Sequence, residues 1–203
     1  VIDIRFPHMG INDPRSPVFC RMWNTWNISQ TERKTFIFDW AARVARGAPG
    51  GRLAELVICC HGRPGFLQLG EGIGSGDAHL FGRWRDLVGK VWIRACLVGR
   101  IVTPQSLQEG DGALLQALNL SGDGHRFCSE AARALGGYIV VSTELQVSSR
   151  YSRTNPLPYG RLDAFEGLVL SYHPDGTVGW SQSYPSVFNI NVAAMRGRNP
   201  NRE

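Results

Sequence analysis

Two apolar runs constrain this chain more than anything else in it. Leu56-Val57-Ile58-Cys59-Cys60 leads straight into His61-Gly62, and Val91-Trp92-Ile93-Arg94-Ala95 leads straight into Cys96. Each run has the length and near-continuous apolarity of a strand covered on both faces, as in a parallel sheet. Each stops on a residue able to do chemistry. In an open α/β sheet, ligands and reacting side chains gather at the carboxyl ends of neighbouring strands. A Cys and a His delivered there are the minimum for thiol-based nucleophilic catalysis.

The rest of the chain supplies elements for such a sheet. Thr31 to Arg46 predicts a helix, with Ser29 or Thr31 as its cap and Glu32 in its first turn; Phe36, Ile37, Trp40, Ala41 and Val44 fall at spacings of three and four. A strand over Leu53 to Cys60 follows, then a short hairpin strand over Phe66 to Leu69 and a helix over Ala78 to Leu87. Ala113 to Leu118 predicts a turn or two of helix, His125 to Leu135 a firm one ended by Gly136-Gly137, and Tyr138 to Ser142 a third apolar strand. Leu168 to Tyr172 and Val178 to Trp180 flank Asp175-Gly176 and read as a hairpin. Strand, helix, strand, helix, strand in this order implies right-handed crossovers and a mostly parallel sheet. The expected fold is therefore α/β, a three-layer α/β/α sandwich.

At the amino-terminal end, Val1 to Phe6 alternates as a half-exposed strand does. Pro7 to Pro17, with three prolines and Gly10, reads as loop. Met22, Trp23 and Trp26 read as cover for a core edge, a substrate-stacking platform being the alternative. Leu145 to Gly160 is a long polar loop carrying Arg150 and Arg153, and loops of that length inside a compact unit tend to be functional. The 203 residues read as one domain, with residues 1–30 as an N-terminal strand and loop and 196–203 as a polar tail.

Composition closes off several function classes. The net charge of +5 is spread over dispersed residues, mostly Arg, with no basic run, so nucleic acid is not an expected partner. Five cysteines is an odd number, and Cys59-Cys60 are adjacent in a buried run; reduced thiols are expected, with Cys20, Cys59 and Cys60 as small hydrophobic residues. No apolar stretch reaches the length of a membrane span, and no signal peptide precedes the first strand. The chain begins at Val1, as an excised domain or processed product would, so the compartment of its parent is open, with the cytoplasm favoured. Gly70 to Asp77 lacks both a G-x-G-x-x-G register and a following Lys-Ser, which argues against a phosphate cradle. His125 and Cys128 stand three apart on one predicted helix, but no second pair has zinc-like spacing, so neither metal nor cofactor is expected. There is no G-x-S-x-G to suggest a serine hydrolase.

A thiol at its ordinary pKa is only a few per cent thiolate at neutral pH, and a nearby imidazole corrects this as base or as ion-pair partner. The same imidazole can then protonate a leaving amine. The developing oxyanion needs donors, for which the backbone N–H groups of Gly62 and Cys96 are natural candidates.

This arrangement resembles the caspase-like cysteine peptidases of clan CD (caspases, metacaspases, legumain, clostripain, gingipains, separase and CHAT domains). In that family an apolar strand ends in His-Gly, and the next core strand ends in a small residue followed by the nucleophilic Cys. Here those positions read Cys60-His61-Gly62 and Arg94-Ala95-Cys96, and the likeness spans roughly residues 51–145. No subfamily's extended signature is present. The resemblance implies His61 as catalytic histidine and Cys96 as nucleophile, a peptide or protein substrate, and no cofactor. It also implies latency relieved by an activating partner or effector, acting at the Gly-rich loop or at Leu145 to Gly160.

Arg94 is the informative departure. Residues two apart on a strand share a side, so Arg94 projects alongside Cys96. The resemblance puts that position in the pocket for the residue preceding the cleaved bond, where basic-specific members carry Asp. An Arg inverts the charge, and its guanidinium forks well onto a carboxylate. Cleavage after Asp or Glu is the resulting expectation, with Arg150 or Arg153 as helpers. Against it stands pairing of Arg94 with an acidic neighbour such as Glu144. Two other functions stay open: a catalytically silent domain of this fold that binds a protein partner, and an acyl transferase or other amide-cleaving enzyme using the same thiol.

Overall fold

The computed structural model describes residues 1–102, 104, 107, 112–146 and 150–184. In chain order the first strands are β1 (Ile2–Asp3), β2 (His8–Asn12), β3 (Asn24–Asn27), β4 (Leu53–Cys59), β5 (His61–Arg63) and β6 (Phe66–Gln68). They are followed by β7 (Val88–Arg94), β8 (Ile101–Val102), β9 (Gly122–Asp123), β10 (Tyr138–Ser142), β11 (Arg161–Leu162), β12 (Gly167–Tyr172) and β13 (Val178–Tyr184). The helices are α1 (Lys34–Gly47), α2 (Gly112–Ala117) and α3 (Gly124–Leu135), with a 3₁₀ segment over Ser75–Trp84 where the sequence predicts an α-helix.

Seven of the strands form one sheet in the order β13-β12-β10-β7-β4-β2-β3. The pairs from β3 to β10 are parallel, and β12 and β13 add antiparallel, so the protein is α/β with a mostly parallel central sheet. Alternation along the strands divides two apolar layers. Leu56, Ile58, Val91, Ile93, Ile139 and Val141 face α1, α3 and the 3₁₀ segment; Val57, Cys59, Trp92, Val140 and Val169 face the other way. Among the described residues, that second face is covered by chain segments around Val18–Met22 and Leu157–Phe165 and by the short β1–β11 ladder, with no helix.

Four local expectations are corrected. The reading of Pro7 to Pro17 as loop misses β2, which is buried along its length and pairs with both β3 and β4. Gly10 sits in that strand because a β-carbon there would fall 2.5 Å from Cys20 Sγ and 2.9 Å from Met22 Cγ, a close approach that only glycine permits. The strand over Val1 to Phe6 shrinks to Ile2–Asp3. In α1 the buried face is Ile37, Phe38, Ala41, Ala42 and Ala45, while Phe36 is exposed against Trp40 and Trp26. Neither Ser29 nor Thr31 caps this helix: the carboxylate of Glu71, from the loop after β6, accepts the Lys34 N–H at 3.0 Å.

Candidate active site

β4 and β7 are neighbours in register, with Cys59 opposite Arg94, so both runs do end side by side. The chain leaving β4 makes one more sheet contact, Cys60 N–H to Arg94 O at 3.4 Å, and then turns into the β5–β6 hairpin. His61 is the first residue of that hairpin and is solvent-exposed. Opposite Gly62, the N–H and C=O of Leu67 are both spent on Ile73 at 2.9 and 3.0 Å, outside the hairpin. Polar groups of facing residues in an antiparallel ladder point the same way relative to their partner, so the Gly62 N–H also points out of the hairpin.

The hairpin rests on the segment that carries the thiol. A β-carbon on Gly62 would lie 2.5 Å from the Cys96 carbonyl oxygen and 2.6 Å from Val98 Cγ2, so glycine is what lets these two backbones touch. The hairpin tip is tied down by Gly65 N–H to Val98 O at 3.1 Å. Just past Cys96 the backbone turns sharply. Leu97 has φ +60, a left-handed conformation costing about 1 kcal/mol or more for a residue with a side chain. The turn is held by Leu97 N–H to Glu144 O (3.0 Å) and Gly99 N–H to Ser142 O (3.1 Å).

His61 and Cys96 share a cleft of about 60 Å³, walled by Ser16–Val18, Cys60, Arg94, Ala95 and Gln146. The backbone N–H of Gln146 donates to Cys96 Sγ at 3.3 Å. Its side chain is a junction: Oε1 accepts from Arg94 Nη1 (3.1 Å) and from Glu166 N–H (3.0 Å), and Nε2 donates to Ser142 Oγ and Glu166 O. Nothing in the sequence distinguishes Gln146 from other polar residues of the long loop. Its role emerges only where the chain just after β10 meets the end of β7.

Of the predicted substrate-binding residues, the structure brings one to the cleft. Arg94 is buried there, its guanidinium also 5.7 Å from the Phe165 ring. Glu144 is buried and its carboxylate takes Arg100 Nη1 at 3.0 Å, so its charge is directed into the protein. Arg153 lies over the Phe19 ring at 5.4 Å, and Arg150 is exposed with its carbonyl accepting from Asn155; neither lines the cleft.

Burial pushes the Cys96 thiol above its ordinary pKa, opposed by the Gln146 N–H and the positive charge of Arg94. At neutral pH the resting group is therefore a thiol, and proton removal by a base is part of any nucleophilic step. Alkylation of Cys96 by iodoacetamide is expected to speed up continuously from about pH 7 to pH 9 without a plateau, since only the thiolate reacts. Arg94→Gln removes a charge that favours the thiolate, so its rate at any one pH in that range is expected to be lower; mass spectrometry of the Cys96 peptide measures both.

The other four thiols are buried. All five cysteines are free. Cys20 and Cys59 are buried against each other, and Cys60, pushed up by burial, lies on the helix-covered side and edges the cleft. His125 Nδ1 is 3.0 Å from Tyr172 OH, and among the described residues no three His, Cys, Asp or Glu side chains are grouped to hold a metal. No described helix is long and apolar enough to cross a membrane. Compared with known proteins, the chain matches no protein-family model, and no curated protein matches its sequence.

Proposed function

We propose that this protein is a cysteine endopeptidase of the caspase-like type, hydrolysing peptide bonds through Cys96 and His61. The observation that carries the reading is the cleft that His61 and Cys96 both line, where the chain leaves the adjoining ends of two parallel strands. His61 takes the Cys96 proton as Sγ attacks the scissile carbonyl. The tetrahedral intermediate collapses to a thioester as the C–N bond breaks, and the imidazolium delivers its proton to the departing amine. Water, deprotonated by His61, then attacks the thioester, releases the acid and returns the proton to Cys96. The outward-pointing Gly62 N–H and the Cys96 N–H are the donors proposed for the oxyanion.

The sulfur side of the cleft is where the acyl half of a substrate must lie, and Arg94 stands on that side. We propose that it receives an Asp or Glu side chain preceding the cleaved bond, from a protein or peptide substrate. A fluorogenic peptide panel tests this: Asp or Glu is expected to exceed Lys or Arg at that position by about tenfold or more in kcat/KM, as a charge-assisted, partly desolvated pair would give. Preference for a basic residue would overturn the assignment of Arg94. Labelling by a peptidyl acyloxymethyl ketone tests the enzyme reading itself. Rapid, His61-dependent modification of Cys96 supports it, and His61-independent labelling would leave a silent domain that binds a protein partner.

A further inference from the structure

His61 faces a second, larger cavity on its other flank. This space of about 340 Å³ is lined by His61, Gly62, Arg63, Phe66, Arg15 and Glu71, with the glycine loop closing it. The inference drawn from it rests on the peptidase reading above. In that reading the imidazole stands between sulfur and leaving amine, so the chain departing with the amine must run past His61, away from Cys96 and Arg94. The cavity lies on that path.

Its charges differ in kind. Arg15 is a structural clamp, its Nε and Nη2 on the Asp13 carboxylate at 2.7 Å each and Nη2 also on Gly70 O at 2.7 Å. Glu71 is committed to the start of α1 through Lys34 N–H. Arg63 is exposed and, among the described residues, makes no ion pair; its guanidinium lies over the Phe66 ring at 4.4 Å. Phe66 in turn lies on Gly72, where an added β-carbon would come within 2.7 Å of Phe66 Cζ. The cation is thus held over the ring at the rim, one residue from the Gly that touches Cys96, with its rotamer freedom already reduced before any ligand arrives.

We infer that this cavity is the leaving-group subsite and that Arg63 selects an acidic side chain within the first two residues after the cleaved bond. The substrate class becomes a peptide acidic on the departing side of the bond.

The test uses two internally quenched peptides with the best acyl-side sequence from the panel, differing only in Glu or Lys after the bond, against wild type and Arg63→Glu. Wild type is expected to favour Glu by about fivefold in kcat/KM, the range of a largely exposed ion pair. Arg63→Glu is expected to invert the ratio, with the Lys peptide cut faster than by wild type, a gain that misfolding cannot produce. A ratio unchanged by Arg63→Glu overturns the subsite while leaving the peptidase standing. Failure of wild type to cut either peptide overturns the peptidase reading and this inference with it.

Discussion

Replacing His61 by Ala is expected to lower kcat/KM for peptide hydrolysis by about 10³-fold, and Cys96→Ala to abolish turnover above background. The two losses have different origins. Without the sulfur there is no thioester and no covalent route. Without the imidazole the nucleophile survives as a thiol, since burial holds Cys96 protonated near neutrality, and the departing amine finds no proton donor. His61→Ala should therefore retain slow activity that climbs with pH as hydroxide replaces the missing base. Initial rates on one fluorogenic peptide across pH, for wild type and both variants, measure this. Equal rates for wild type and His61→Ala would remove the imidazole from the mechanism.

The largest effect on stability is expected at Asp13. Its carboxylate is fully buried and accepts four hydrogen bonds: from Arg15 Nε and Nη2, from the Arg15 N–H, and from the Gly70 N–H. Burial alone would raise its pKa, but the Arg15 and Gly70 donors outweigh burial and hold it below the usual carboxylate value. This one side chain joins the end of β2 to the loop after β6, which forms the floor of the cavity beside His61. Asp13→Asn keeps the shape but turns an amide toward groups that can only donate. A loss of about 3 kcal/mol in unfolding free energy is expected, as for breaking a buried ion pair from one side. Because the folded pKa is depressed, Asp13 stabilises the wild type fully above its unfolded pKa, and that contribution disappears as pH falls through the folded value. The gap between wild type and Asp13→Asn in urea denaturation should thus be wide at neutral pH and narrow in acid.

Much of the architecture was legible because burial on both faces leaves an unbroken apolar run. β4, β7 and β10 declare themselves in this way, the β12–β13 hairpin is announced by its Asp175-Gly176 turn, and α3 shows through Phe127, Ala131 and Leu135 on one side. β2 was not legible, since His8-Met9-Gly10-Ile11-Asn12 carries a glycine and polar ends inside a proline-rich stretch. The glycine is demanded by Cys20 and Met22 from the neighbouring segment, which no local pattern can report. The same limit hid the Glu71 cap on α1 and the Gln146 junction, both products of distant chain arriving at a helix or strand end. His61, Cys96 and Arg94 do line one cleft, as strand-end logic implies. Arg150 and Arg153 rest on charge and loop position alone, and Glu144 on being an acidic neighbour for Arg94; charge does not say which way a side chain turns.

The sulfur and the imidazole belong to separate mechanical parts. Cys96 is rooted in a sheet seven strands wide, whereas His61 rides on a two-stranded ribbon pinned through Gly62 and Gly65 to the turn after Cys96. Lifting that ribbon by an ångström would carry the buried Leu67 with it and, on the proposed mechanism, break the relay for protons, since a misplacement of that size costs a reaction about a hundredfold. Control of such a molecule needs no plug in its cleft. On the proposed mechanism, a ligand that wedges the ribbon away from its seat would switch the chemistry off from outside.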